Sequence, residues 1–335
     1  MISTLATERV EAAFAAGPVE LRVSFDDPAL HGSLRGLLSQ YDAPWPGTPA
    51  SIRVSIGFGE TTSDVTGDYV RTNHFRAERR GSTLVARGKL GAEMRYDFSA
   101  GRAELTLPET PDRASVIEEA EQMLVLLLAR AWAEQGWTPL HAGSLIPPGG
   151  EHCVLVCAPS GVGKTTAIVS LLRRGWRTLG DDKMLMREDG GGVIARGLAR
   201  RFHLHPNSSR WFPELGDVTE WPQYSRWTDK RVVRIERVWP GQLVECAIPG
   251  ASVRLERGGP PGALAVEAMD SLSSLDTLLR QVAIPNDPEH ARPLVACIAK
   301  AAASMRSAIL RVGEDAFGEP AAAGRLEAEL RQLLP

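Results

Sequence analysis

The chain has 335 residues, 43% of them hydrophobic and 24% charged, with a formal net charge of −3. That length supports two domains with cores of their own. The acidic balance argues against a general nucleic-acid binder or an anionic-membrane binder, both of which are basic overall. The four cysteines, Cys153, Cys157, Cys246 and Cys297, show no zinc spacing and read as reduced thiols.

Residues 1–23 lack the apolar core of a signal peptide. The most apolar stretch, residues 123–131, is too short to span a bilayer. The expectation is a cytoplasmic protein that binds neither membrane nor nucleic acid.

Residues 1–112 read as a strand-rich α+β accessory domain. Period-two alternation predicts strands at residues 21–25, 51–56, 83–86 and 103–107, with turn clusters such as Pro44-Trp45-Pro46-Gly47 between strands. A domain border is expected at Pro111-Asp112. A helix over residues 114–136 should open the second domain, 113–335, with Ile117, Ala120, Leu124, Leu127, Leu128 and Ala131 as its apolar stripe.

From Trp137 the pattern becomes α/β. A strand is expected near residues 140–146, then a buried strand at Cys153–Cys157, a glycine-rich loop, and a helix over residues 164–174. A further β element should run through residues 176–179 into Gly180-Asp181-Asp182. Helices are expected at residues 270–282, 293–309 and 324–333.

The loop Ala158-Pro159-Ser160-Gly161-Val162-Gly163-Lys164-Thr165 follows a strand and opens a helix, the context a phosphate-binding loop requires. Gly161 and Gly163 supply the backbone freedom, and Ser160, Val162 and Thr166 complete the nucleotide-binding set. Lys164 is placed to bridge the outer phosphates and the Thr165 hydroxyl to reach Mg²⁺. Ala158 stands where the pattern's first glycine is usual.

A phosphotransferase also needs carboxylate for the metal and an acceptor for the attacking hydroxyl's proton. Asp181 and Asp182, adjacent at a strand end, should point to opposite sides. One then addresses the hydroxyl and the other the metal or a histidine. His141, one hairpin upstream of the loop strand, is placed beside the same unit.

These features in this order resemble the HPr kinase/phosphorylase family, and more closely its HPr-kinase-like relatives. The resemblance rests on Leu140-His141-Ala142, Ser160-Gly161-Val162-Gly163-Lys164-Thr165, Arg174-Gly175-Trp176 and Gly180-Asp181-Asp182. It covers roughly residues 137–285. It implies a P-loop kinase core of the HPr kinase and phosphoenolpyruvate carboxykinase type, a homo-oligomer, and an ATP- and Mg²⁺-dependent serine kinase. Asp181 is implied as the base, supported by Asp182 and His141, with Thr165 and Asp182 on the metal. The acceptor implied is a serine of a protein or precursor peptide. A small-molecule kinase and a nucleotide-switched binding module stay open beside it. The signature that follows the basic segment in that family is not found at Arg237–Gly241, and Thr166 stands where an acidic residue is usual; both departures turn the reading away from HPr itself.

Residues 196–237 carry nine Lys and Arg against five acidic residues. Arg196, Arg200, Arg201, Lys230 and Arg231 are the candidate substrate cations. Trp211, Phe212, Trp221, Tyr224 and Trp227 are candidates either for a substrate cradle or for packing.

Overall fold

The structure, a computed structural model, describes residues 9–225, 228–313 and 320–335. It divides into two compact units, the described residues of Met1–Gly136 with Ala283–Arg292, and Trp137–Val282 with Pro293–Pro335. Both sheets and helices contribute throughout, so the chain is α/β.

In the first unit, strands Val10–Ala16 (β1) and Val19–Phe25 (β2) precede helix Pro28–Leu38 (α1), whose N-cap Asp27 accepts from the Ala29 N–H. Strands Ala50–Phe58 (β3), Val70–Arg71 (β4), Phe75–Arg80 (β5), Thr83–Gly88 (β6), Glu93–Asp97 (β7) and Arg102–Leu107 (β8) follow, then helix Arg113–Glu134 (α2). One eight-stranded sheet results, in the order β1-β2-β3-β8-β7-β6-β5-β4. Alternation decides its faces: Leu21, Val23 and Phe25 are buried while Glu20, Arg22 and Ser24 point the other way.

The expected border after Asp112 separates α2 from the sheet it packs on; the compact units part instead after Gly136. Met123, Leu124, Leu127, Leu128 and Ala131 of α2 are fully buried. The Trp132 indole donates to the Ala16 carbonyl at 2.8 Å. The Glu119 carboxylate accepts from the Leu90 and Ala92 N–H groups at 2.9 and 3.1 Å. The segment 283–292 joins the same unit through Tyr69, whose hydroxyl lies 3.0 Å from His290 Nδ1, and through Arg79, bonded to Asp287 and Glu289.

The second unit runs Thr138–Leu140 (β9), Gly143–Leu145 (β10), His152–Cys157 (β11), Lys164–Leu172 (α3), Met184–Asp189 (β12), Gly192–Gly197 (β13) and Arg201–Leu204 (β14). Gln223–Ser225 (β15), Thr228–Arg234 (β16), Ile235–Val238 (α4), Cys246–Arg257 (β17), Leu264–Ala268 (β18) and Ser271–Leu279 (α5) come next. Pro288–Ser304 (α6), which enters this unit at Pro293, Arg306–Val312 (β19) and Pro320–Leu333 (α7) complete the chain. Its larger sheet has the order β10-β11-β17-β13-β12-β9, with β19 also on β17 and β18 on β19. β11, β17 and β19 are parallel neighbours, so their carboxyl ends share one edge, where open α/β sheets bind ligands. A smaller sheet, β14-β16-β15, lies apart from this order.

Three expectations need correction. The strand expected near residues 140–146 breaks at His141-Ala142, because β9 pairs with β12 and β10 with β11. Residues 176–179 form only isolated bridges, Ile146 with Arg177 and Thr178 with Leu243. The helix expected to reach residue 309 ends at Ser304. Ala308, Leu310 and Val312 are buried at period two in β19 instead. Among the described residues no helix is long and apolar enough to cross a membrane.

Replacing Glu119 orphans two N–H groups of the β6–β7 turn and leaves a void under α2. Glu119→Ala should lower unfolding free energy by about 2–4 kcal/mol, read as a lower urea midpoint at unchanged slope.

Candidate functional site

The glycine-rich loop occupies the turn between β11 and α3. Its strand is apolar and buried from Cys153 to Cys157, and Ala158 is buried after it. Gly163 caps α3 with φ of 113°, a left-handed conformation open to glycine, and no side chain caps that helix. Gly161 has φ of 80° and open space where a Cβ would stand. The uncapped first turn presents N–H groups to the loop, as an anion site requires. Ser160 is exposed, while Val162 packs against the core and anchors the loop. Thr166 is half-buried in the first turn of α3.

Lys164 and Thr165 leave this turn toward two different carboxylates. Thr165 Oγ1 donates to Asp181 Oδ2 at 2.7 Å. Lys164 Nζ lies 3.2 Å from His141 Nε2 and 3.7 Å from Asp182 Oδ1. His141 Nδ1 is in turn 3.2 Å from Asp182 Oδ1. One tautomer satisfies every contact: a neutral imidazole with hydrogen on Nδ1, facing Asp182, and Nε2 accepting from Lys164. Burial lowers the His141 pKa, against the pull of Asp182, which agrees with the neutral form.

Asp181 is only 4% exposed, whereas the Asp182 side chain keeps 35% of its surface and His141 47%. The two carboxylates are therefore electrically unlike. Burial first, and the charge of Asp182 second, push the Asp181 carboxyl up to about 7. Burial also raises Asp182, but His141, Lys164, Lys183 and His203 together hold it below the ordinary carboxylate value. The sequence reading put Asp182 with Thr165 on the metal side and Asp181 on the acceptor side. The geometry joins Thr165 to Asp181 and sends Asp182 to His141 and Lys164.

Backbone contacts rather than a strand hold this segment. Ser144 N–H donates to the Gly180 carbonyl at 3.0 Å, and Leu179 N–H to Ser144 Oγ at 2.8 Å. A Cβ on Gly143 would stand 3.1 Å from the Asp181 carbonyl oxygen and 2.2 Å from Ile168 Cδ1. On Gly197 it would meet the Leu179 carbonyl at 2.2 Å. Both positions demand glycine by close approach.

The substrate cations do not form one cluster. Arg196 reaches Glu245 at 3.4 Å and Arg200 reaches Glu236 at 2.8 Å. Arg231 donates to the Trp221 carbonyl. Arg201 and Lys230 are brought together with His203. Phe202 and Leu204 are buried, so Arg201 and His203 share the opposite face of β14. The register pairs His203 with Val232, which gives Lys230 that same face of β16. Tyr224 stacks on His203 with ring centroids 3.8 Å apart. Burial lowers His203 to about 4 against the pull of Asp182, with Lys230, Lys183 and Arg201 adding to the depression. Phe212 is buried and Trp211 and Trp221 pack on the core; Trp227 lies outside the described residues.

His203, Lys183 and Arg257 were missed by sequence reasoning. Arg257, at the end of β17, donates to the Gly161 carbonyl at 2.9 Å. The usable signal for His203 was its alternation with Phe202 and Leu204. For Arg257 there was none, since the pairing of β17 with β11 is long-range.

Among the described residues no three His, Cys, Asp or Glu side chains cluster as a metal cage. One hydroxyl and one carboxylate, Thr165 and Asp181, suit Mg²⁺, which takes few protein ligands and completes its shell with phosphate and water.

The raised Asp181 pKa makes a signed prediction. The folded state keeps a proton between about pH 4 and 7 that the unfolded state releases, so this group's contribution to stability falls as pH rises through that window. Asp181→Asn, neutral throughout, should match wild type near pH 4.5 and melt higher than wild type above pH 7 in metal-free buffer. Parallel melting curves at all pH values would contradict it.

No family model and no curated protein matches the chain. Among solved structures, the HPr(Ser) kinase/phosphatase from Coxiella burnetii is similar at 11% identity and a TM-score of 0.33, with 58% of this chain and 96% of that one covered. At that level of likeness the site rests on its own geometry.

Proposed function

We propose that the second unit is an ATP- and Mg²⁺-dependent kinase that transfers the γ-phosphoryl group to a hydroxyl, a serine of a protein or peptide. The observation that carries this reading is the division of labour around the loop. Thr165 meets a buried carboxylate while Lys164 meets an accessible one, and the two carboxylates are sequence neighbours.

Lys164 and the first-turn N–H groups of α3 hold the transferred phosphoryl group. Thr165 and Asp181 would hold Mg²⁺, which when bound would neutralise phosphate charge. Asp181 is too enclosed to reach an acceptor; Asp182, beside His141 at the open side of the loop, is the group that orients the attacking hydroxyl. Its low pKa makes it a weak base. That suits phosphoryl transfer, where a loose transition state needs positioning and charge neutralisation more than early proton removal. The neutral His141 contacts both Lys164 and Asp182 and fixes the Asp182 rotamer. Arg201, Lys230 and Tyr224 beside His203 form the wall for the acceptor, and their two cations favour one with acidic character.

The tests separate these roles. Lys164→Ala should weaken ATP binding at least tenfold by calorimetry and abolish transfer. Asp182→Asn should keep ATP·Mg²⁺ affinity and lower transfer by about 10²–10⁴-fold, read by mass spectrometry of polypeptide acceptors. Asp181→Asn should instead raise the Mg²⁺ concentration needed for half-maximal nucleotide binding. If Asp182→Asn shifts the Mg²⁺ requirement and Asp181→Asn does not, the assignment reverts to the order read from sequence. Phosphorylated sugars or free amino acids with every polypeptide unmodified would replace the serine-kinase reading by a small-molecule one.

A further inference from the structure

We propose that the open face of the first unit's sheet is a docking site for an acidic polypeptide segment. This inference does not depend on the kinase reading. One face of that sheet is apolar and buried; the other forms a concavity of about 920 Å³ lined by polar and charged side chains of β1, β2, β3, β6, β7 and β8.

The strand register lines up like charges there. Arg22 of β2 lies beside Arg53 of β3, and Arg53 beside Arg102 of β8. Neighbouring strands run about 4.8 Å apart, so three arginines stand in one row roughly 10 Å long. Like charges side by side on a sheet cost stability, and acidic neighbours normally relieve them. Of the three, Arg22 is ion-paired, with Glu20 at 2.7 Å. Arg53 and Arg102 are exposed and have no ion pair among the described residues. Asp97, across from Arg102 in the ladder, accepts instead from the Ser99 and Ala100 N–H groups of its own turn.

A row of three guanidinium groups is too long for one carboxylate or phosphate, yet it is spanned by two carboxylates on one side of an extended peptide, where same-side residues recur about every 7 Å. A nucleic-acid backbone fits less well. Glu11 and Glu104 line the adjacent row of the same concavity, so the basic footprint is confined to the arginine row, short of the continuous track a phosphate chain requires and long enough for a few carboxylates of a peptide.

The test uses the full chain and three labelled probes followed by fluorescence anisotropy: a peptide containing four consecutive glutamates, the same peptide with glutamines, and a short single-stranded DNA. The glutamate probe should bind saturably, and its Kd should rise at least tenfold in the Arg53→Glu/Arg102→Glu variant and with increasing salt. Both sites are exposed, so an unchanged circular dichroism melt and an intermediate effect of Arg53→Gln/Arg102→Gln are expected alongside. The proposal is overturned if wild type does not bind the glutamate probe, if the double variant binds it as tightly as wild type, or if the DNA binds as well as the peptide.

Discussion

The buried carboxyl of Asp181 is the constraint around which the second unit is arranged. A carboxyl group at 4% exposure costs several kcal/mol to ionise unless a cation or donor meets it. Here the Thr165 hydroxyl donates to it, which fixes the first turn of α3 against the end of the 176–182 segment. The same segment is pinned behind by Ser144 and Thr178, whose hydroxyls are both buried. Gly143 and Gly197 are the openings through which its backbone passes. The glycine-rich loop, the Thr165 hydroxyl and the carboxylate pair are thus one assembly.

Much of that assembly is local in the sequence, which is why it could be read there. The loop, its buried strand and its helix occupy consecutive residues, and glycine, lysine and threonine at fixed spacing state the chemistry directly. The two aspartates and His141 could be placed near it for the same reason. Their roles could not. The argument from alternation assumed a strand, whereas residues 176–182 are irregular and held by side-chain and glycine contacts. The two carboxylates meet different partners, and which of them faces Thr165 depends on tertiary contacts.

The same distinction accounts for the other differences. Period 3.6 identified α2 and its apolar stripe, but periodicity does not say which sheet receives a stripe, and α2 packs with the strands before it. In 306–312 a short apolar run continued a helical pattern from α6, and the parallel partner β17 decided for strand. His203 and Arg257 reach the site from distant elements through register and strand order, which one sequence without pairing information does not contain.

Electrostatics joins these distant residues to the local ones. Two adjacent carboxyl groups in one site cannot both ionise cheaply, and environment pushes their pKa values apart. Asp181 takes the buried, proton-holding side at about 7, and Asp182 takes the side where Lys164, Lys183 and two imidazoles favour charge. His141 and His203 are both depressed by burial, so near neutral pH they orient without adding charge. Asp182 is then the charged carboxylate that Lys164 approaches, at 3.7 Å. The proposed phosphate chain with its divalent cation answers two features of this site, the uncapped first turn of α3 and the buried carboxyl group beside Thr165.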